Sequence, residues 1–204
     1  DVAMAAKAHI IGTAFLALEM KCARCHDAPY HPFTQQDLFG LAAMLEKKPI
    51  TLPETSSVPD DPNGRERLVT VSLEPGAAVD PHWPFAEIAA EDLPEGLIRD
   101  PGNSRERLAA LITSPRNDRF ARVIVNRLWK RYMGTGLVEP VDDWSDAEPS
   151  HASLLDWLGR ELVTHDYNLK HVARLILESR AYQSASIGES DQGRPLFAGP
   201  LRRR

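Results

Sequence analysis

Nine of the chain's 16 prolines fall between Pro49 and Pro101. Proline lacks a backbone N–H and clashes with the preceding turn, so long helices and central strands do not run through such a stretch. The chain therefore reads as three parts: residues 1–47, an irregular connection over 48–103, and a final segment 104–204. With 204 residues, 43% hydrophobic and 26% charged, it has material for one ordinary core or two small ones. That balance excludes wholesale disorder, a collagen-like repeat and a disulfide scaffold. The net charge of −5 gives no general attraction to nucleic acid, and no such partner is expected. No uncharged apolar run approaches the roughly 18 residues of a membrane helix, so no membrane span is expected either.

Residue 1 is Asp, and the chain stops on Arg202-Arg203-Arg204 soon after Gly199-Pro200. These ends suggest an internal piece of a longer protein, with the first and last parts both truncated. The apolar stretch 9–20 has neither the positive start nor the small-residue cleavage site of a signal peptide.

The first part reads as two helices around a loop. Ala3, Ala6, Ile10, Phe15, Leu16 and Leu18 keep helical spacing up to Cys22. Thr34 is a good N-cap for a second helix with Leu38, Leu41, Ala42 and Leu45 on one stripe, ending at Lys47-Lys48. In the middle only residues 67–73 alternate like a short strand; they suit either a small β excursion or an extended linker packed on its neighbours. The last part is helical throughout. Ser104 is the expected cap of 105–113, and Asp118 of a helix to Met133 that Gly134 stops. In that helix Phe120, Val123, Ile124, Leu128 and Tyr132 share a face. Ser150 and Asn168 are the expected caps of two more helices, joined by a short turn into a hairpin. The fold class expected is mostly α: a helical haem-type module, a Pro-rich connection with at most a short strand pair, and a helical bundle.

One motif carries specific chemistry. Cys22-Ala23-Arg24-Cys25-His26 is the C-x-x-C-H pattern of covalent haem c attachment. Residues i, i+3 and i+4 are neighbours on a helical turn. Two thiols there can each form a thioether with a haem vinyl group, and the adjoining imidazole can reach the iron as proximal ligand. Phe15, Leu18, Tyr30, Phe33, Leu38, Phe39 and Leu41 are nearby apolar candidates for the walls. A carbonyl near Pro29 or Pro32 is the expected acceptor for the other ring N–H of His26. Two other readings stay open: a zinc half-site recruiting His31, His82 or a carboxylate, and a thiol pair or disulfide without cofactor. The distal ligand is undetermined, with Met44 and His31 as weak candidates beside Met20, His82 and His151, and a five-coordinate iron also fits.

The residues around this motif, from Met20 to Asp27 and then Pro32-Phe33-Thr34-Gln35-Gln36-Asp37-Leu38, resemble the planctomycete cytochrome-type domain of large secreted proteins. A longer set resembles the planctomycete-specific domain of unknown function that follows it there. It comprises Arg119-Phe120-Ala121-Arg122-Val123-Ile124-Val125-Asn126-Arg127-Leu128-Trp129, then residues 133–143, Pro149-Ser150-His151, Leu154-Leu155-Asp156-Trp157-Leu158, Leu169-Lys170-His171 and Ser179-Arg180-Ala181-Tyr182-Gln183. The resemblance implies a secreted or periplasmic, mostly helical multidomain protein with a haem c signature, and no known reaction. It departs from the family at Ala28, where a second His is common, so no ligand role carries over to that position.

Residues 116–131 hold six basic side chains against one acid, and 139–148 hold five acids. Two such blocks so close together are expected to neutralise each other, with Arg127 against Asp142 or Asp143 as the leading pair. Trp129 and Trp157 are expected in the core. Trp144, in the acidic loop, is a candidate for stacking on a sugar. The leading function is a periplasmic or extracellular haem c module for single-electron transfer with a redox partner protein. The alternative is a secreted interaction or scaffold module, with polysaccharide as a candidate partner, whose C-x-x-C-H holds no haem or another metal. No catalytic residue set is legible, so enzymatic activity is left open.

Overall fold

Helices dominate, as the apolar spacing predicts. The structure is a computed structural model describing residues 2–56, 58, 68–87, 93–184 and 199–200. Among these residues there are seven α-helices and one pair of two-residue strands. No described helix is long and apolar enough to cross a membrane. The chain divides into two compact units, Asp1–Asn117 and Asp118–Arg204.

The first unit is organised around α2 (Gln35–Glu46), with α1 (Val2–Ile11) and α3 (Ser104–Thr113) both packed against it. Leu38, Phe39, Leu41, Ala42 and Ala43 of α2 are fully buried. Each such leucine contributes about 1.5–3 kcal/mol relative to an exposed position. Thr34 caps α2 as expected, and its partner is Asp37. The Thr34 side chain accepts from the Asp37 N–H, and the Asp37 carboxylate accepts from the Thr34 N–H, at 2.7 Å. Lys47, in the left-handed conformation, ends the helix.

The N-terminal helix differs from its expectation. It passes into a π-helical turn at Gly12–Leu16 and stops at Ala17 (φ 52°), well before Cys22. The reason is tertiary. A side chain on Gly12 would overlap the Met20 methyl group, so the glycine lets the chain fold back and bury Met20 against it.

Of the Pro-rich connection, β1 (Ile50–Thr51) and β2 (Ala78–Val79) pair antiparallel, Ile50 opposite Val79. Arg67 lies outside the described residues, and 68–73 form no strand but an extended segment bonded to its neighbours. Trp83, Phe85 and Phe33 make successive edge-to-face contacts, with centroids 5.2 and 6.0 Å apart. Helix α3 starts one residue earlier than expected. Asn103, not Ser104, accepts the Glu106 N–H as cap. Ser104 is thereby released to donate to the Met44 carbonyl at 3.0 Å, and Arg105 Nε donates to the Leu45 carbonyl at 2.6 Å. Both satisfy carbonyls that the end of α2 would otherwise leave without partners.

In the second unit α4 (Asp118–Met133) packs on α5 (Ala152–Thr164) and α6 (Leu169–Leu177), and α7 (Arg180–Gln183) follows α6. Because two helices cover α4, its buried residues go beyond the expected stripe: Ala121, Val123, Val125, Asn126 and Met133 are enclosed, while Ile124, Leu128 and Tyr132 are half-buried. Gly134 (φ 88°) stops α4 as predicted. Asn126 is the hub of the following loop. Its Oδ1 accepts from the N–H groups of Leu137 and Val138 (2.6 and 3.1 Å), and its Nδ2 donates to the Val138 carbonyl at 2.9 Å. Ser150 does not cap α5. Its hydroxyl donates to the Leu137 carbonyl and His151 takes the cap position, whereas Asn168 caps α6 as expected.

Candidate functional site

The C-x-x-C-H motif sits between the end of the π-helical turn and α2, on one turn of 3-10 helix at Cys22–Arg24. The sequence expectation was an α-helical turn. The tighter turn comes from the backbone: the N–H groups of Cys25 and His26 both donate to the Cys22 carbonyl, at 3.2 and 3.3 Å. Cys22 opens this turn and Cys25 is the residue that ends it, with φ −127° and ψ −24°. Ala23, between them, is buried and faces the core. Both cysteines are free thiols, Cys22 exposed and Cys25 half-buried.

His26 is half-buried, and its Nδ1 lies 2.8 Å from the carbonyl oxygen of Asp27. A carbonyl only accepts, so Nδ1 is the donor of this contact and Nε2 is the ring nitrogen left for another partner. The acceptor differs from the expected carbonyls near Pro29 or Pro32: it belongs to the residue that directly follows the motif. The Asp27 N–H donates to the Thr70 carbonyl at 2.9 Å. Its Oδ1 accepts from the Gln35 N–H at 2.8 Å and from the Ser72 hydroxyl at 2.6 Å. Gln35, fully buried, then donates to the Ser56 carbonyl and accepts from the Leu73 N–H. The segment after the motif is thus clamped to the start of α2 and to residues 70–73 of the Pro-rich connection. Motif spacing does not reveal Asp27, Gln35 and Ser72 as this clamp. The local signal was the carboxylate directly after His26, and its partners come from far along the chain.

The expected apolar walls divide into two groups. Leu18, Phe33, Leu38, Phe39 and Leu41 are already buried within the unit, whereas Phe15 is 39% and Tyr30 85% exposed. Ile10, which carried no expected role here, is 61% exposed. Of the distal candidates, Met44 and Met20 are both enclosed in the core. His31 is half-buried, with Nδ1 2.6 Å from the Tyr30 carbonyl and its ring edge-on to Phe33. The His82 ring occupies the space above Gly40 of α2, where any side chain would collide with it.

In the second unit the two charge blocks do meet. Arg127 pairs with Asp142 at 2.7 Å and Lys130 with Glu139 at 3.0 Å. Burial pushes the Glu139 carboxyl up, but the Gly136 N–H, the Lys130 ammonium and the Thr135 hydroxyl outweigh it, so its pKa lies below the usual 4.5. Trp144 is only 8% exposed and the Arg119 guanidinium lies 4.9 Å from its ring centroid, which leaves little of the indole for a sugar. Trp157 is 40% exposed rather than in the core.

Residues 2–49 match the PSCyt2 family model, a protein of unknown function (DUF1549), and residues 104–204 match the PSD1 model, a protein of unknown function (DUF1553). The second match begins at α3, which packs against α2 of the first unit. No curated protein and no solved structure matches the chain. The two matches follow one another along the chain, the DUF1549 model first and the DUF1553 model second.

Proposed function

We propose that this chain is a module of a secreted or periplasmic c-type haem protein that passes single electrons to or from a redox partner. Cys22 and Cys25 would hold the porphyrin as thioethers, each S–H adding across one vinyl group, and His26 Nε2 would be the proximal iron ligand. When bound, the haem would supply a reversible one-electron couple at its iron.

The observation that carries this reading is the 2.8 Å contact of His26 Nδ1 with the Asp27 carbonyl. It engages Nδ1 and leaves Nε2 for the iron, and a backbone carbonyl on the other ring nitrogen is the usual outer partner of a metal-bound histidine. The donor set fits as well. The two cysteines are free and sit at the two ends of one tight turn, and the carbonyl that orients the imidazole belongs to a residue clamped by three hydrogen bonds. A zinc half-site asks for donors drawn around one point. Among the described residues, the group of three potential ligands within 4.8 Å of one another lies elsewhere, in the second unit. Exposed Phe15 and Tyr30 offer apolar surface beside the motif in sequence. Because thioether ligation of haem is completed outside the cytoplasm, the proposed compartment follows from the proposed chemistry.

The test is expression of the chain with a periplasmic haem-attachment system. The expected result is a pyridine haemochrome band that survives denaturation in the parent chain and disappears in Cys22→Ser/Cys25→Ser. In His26→Ala the spectrum of any haem still attached should change, because the iron would lose its proximal nitrogen. A colourless parent chain would overturn the proposal in favour of a scaffold or interaction module.

A further inference from the structure

We propose a second site, independent of the first: Glu161, His165 and His171 bind a divalent transition-metal ion of the zinc type. Glu161 lies in the last turn of α5, His165 is the residue that ends it, and His171 is in the first turn of α6. The connection is tight because Asp166 and Tyr167 are both left-handed (φ 51° and 57°) and the Tyr167 N–H donates back to the Leu162 carbonyl at 2.8 Å. The start of α6 is thereby laid against the end of α5, which is what brings His171 to Glu161.

One ligand atom from each of the three side chains lies within 4.8 Å of the others. His171 Nε2 is 2.8 Å from Glu161 Oε2, and His165 Nδ1 is 3.5 Å from the same oxygen. Ligands of a tetrahedral zinc ion, with bonds of about 2.0–2.1 Å, stand roughly 3.3 Å apart. The two observed separations bracket that value. The imidazoles are stacked, centroids 3.7 Å apart and planes 17° from parallel. To bind one ion the rings would turn out of this stack, a rotation that the soft Cβ–Cγ torsion allows.

Two histidines and one carboxylate, with further positions left to water, form a donor set suited to zinc and its neighbours. Ion access is open, since the side chains of Glu161, His165 and His171 are 24%, 47% and 25% exposed. Without an ion, His171 Nε2–H donates to the carboxylate, and His165 Nδ1 faces both that oxygen and the Glu161 main-chain carbonyl at 3.0 Å. An incoming ion replaces the protons on these nitrogens, as ligation of a histidine requires. It would tie the end of α5 to the start of α6.

The competing explanation is that the three residues simply pin the hairpin by hydrogen bonds. Glu161→Gln separates the two, because the amide oxygen still accepts from His171 but is a poor zinc ligand. The experiment titrates zinc into the untagged full chain in a Cys22→Ser/Cys25→Ser background, so that the thiols take up none. The parent chain with its thiols alkylated serves as a second preparation. Calorimetry should show one ion per chain, and imidazole resonances of His165 and His171 should shift together. Affinity should fall about tenfold or more in Glu161→Gln and His171→Ala and stay unchanged in His151→Ala. Absence of uptake at about 100 μM zinc, unaltered affinity in Glu161→Gln, or shifts confined to other histidines would each overturn the proposal.

Discussion

The two units are held together in different ways. In the second, the closing contacts are short in sequence. Asn126 bonds residues 11 and 12 positions on, Lys130 pairs with Glu139, and His171 meets Glu161 across one tight turn. In the first, several contacts reach much farther, 21 to 60 residues: Gln35 to Ser56 and Leu73 and Asp27 to Ser72 beside the motif, and Ser104 to Met44 at the end of α2. Local contacts cost little loop-closure entropy, and distant ones repay theirs only when the whole unit is assembled. The motif turn thus depends on the Pro-rich connection being in place, while the α4 loop depends mainly on α4 itself.

The largest effect that should separate the two units is at Asn126. Asn126→Leu leaves the N–H groups of Leu137 and Val138 and the Val138 carbonyl buried without partners, at a cost of about 4 kcal/mol. Urea unfolding should show that loss, and hydrogen exchange should place it within 118–183. Gln35→Leu is the matching change in the first unit. It removes one donor and one acceptor contact, costs about 2 kcal/mol, and should raise exchange at Leu73, far along the chain. Exchange confined to residues next to 35 would erase the contrast between the units.

The smallest effect is electrostatic. A carboxyl whose folded pKa lies below its unfolded one contributes stability above the unfolded value and loses it as pH falls through the folded one. Glu139 is such a group, so Glu139→Gln should lower stability slightly at neutral pH, change little well below pH 4.5 where the parent carboxyl is protonated, and so flatten the profile between. The pair is partly solvent-exposed, so the amplitude stays within the small range of surface ion pairs. A large change at neutral pH would mean that the loop leans on Glu139 more than on Asn126.

Much of the second unit was legible before the structure. Gly134 as a stop, Asn168 as a cap and Arg127 opposite Asp142 all follow from signals a few residues apart. The failures there share one cause. Ser150, and likewise Ser104 in the first unit, look like caps, but each hydroxyl has a carbonyl partner at distance, Leu137 and Met44, and a neighbour takes the cap. In the candidate site, Cys22, Cys25 and His26 were readable as a set, whereas Asp27, Gln35 and Ser72 were not. Glu161 and His165 stand at the i, i+4 spacing of one helix face, a signal present in the sequence. Their convergence with His171 needed the turn at Asp166 and Tyr167, two residues that carry no glycine-like mark of a left-handed backbone.

By itself, then, the amino-acid order determined a helical chain interrupted by prolines, with two thiols and an imidazole within one turn. These outcomes rest on backbone sterics and spacings that act over a few residues. Tertiary structure alone decided where the first helix breaks, because Gly12 had to receive Met20. It also decided which carbonyl holds the His26 ring, and that α3 packs against α2. Such choices depend on what the assembled core brings together, as Asp27 meets Thr70 and Ser72 from far along the chain, and only that assembly settles which pairing leaves the fewest polar groups unsatisfied.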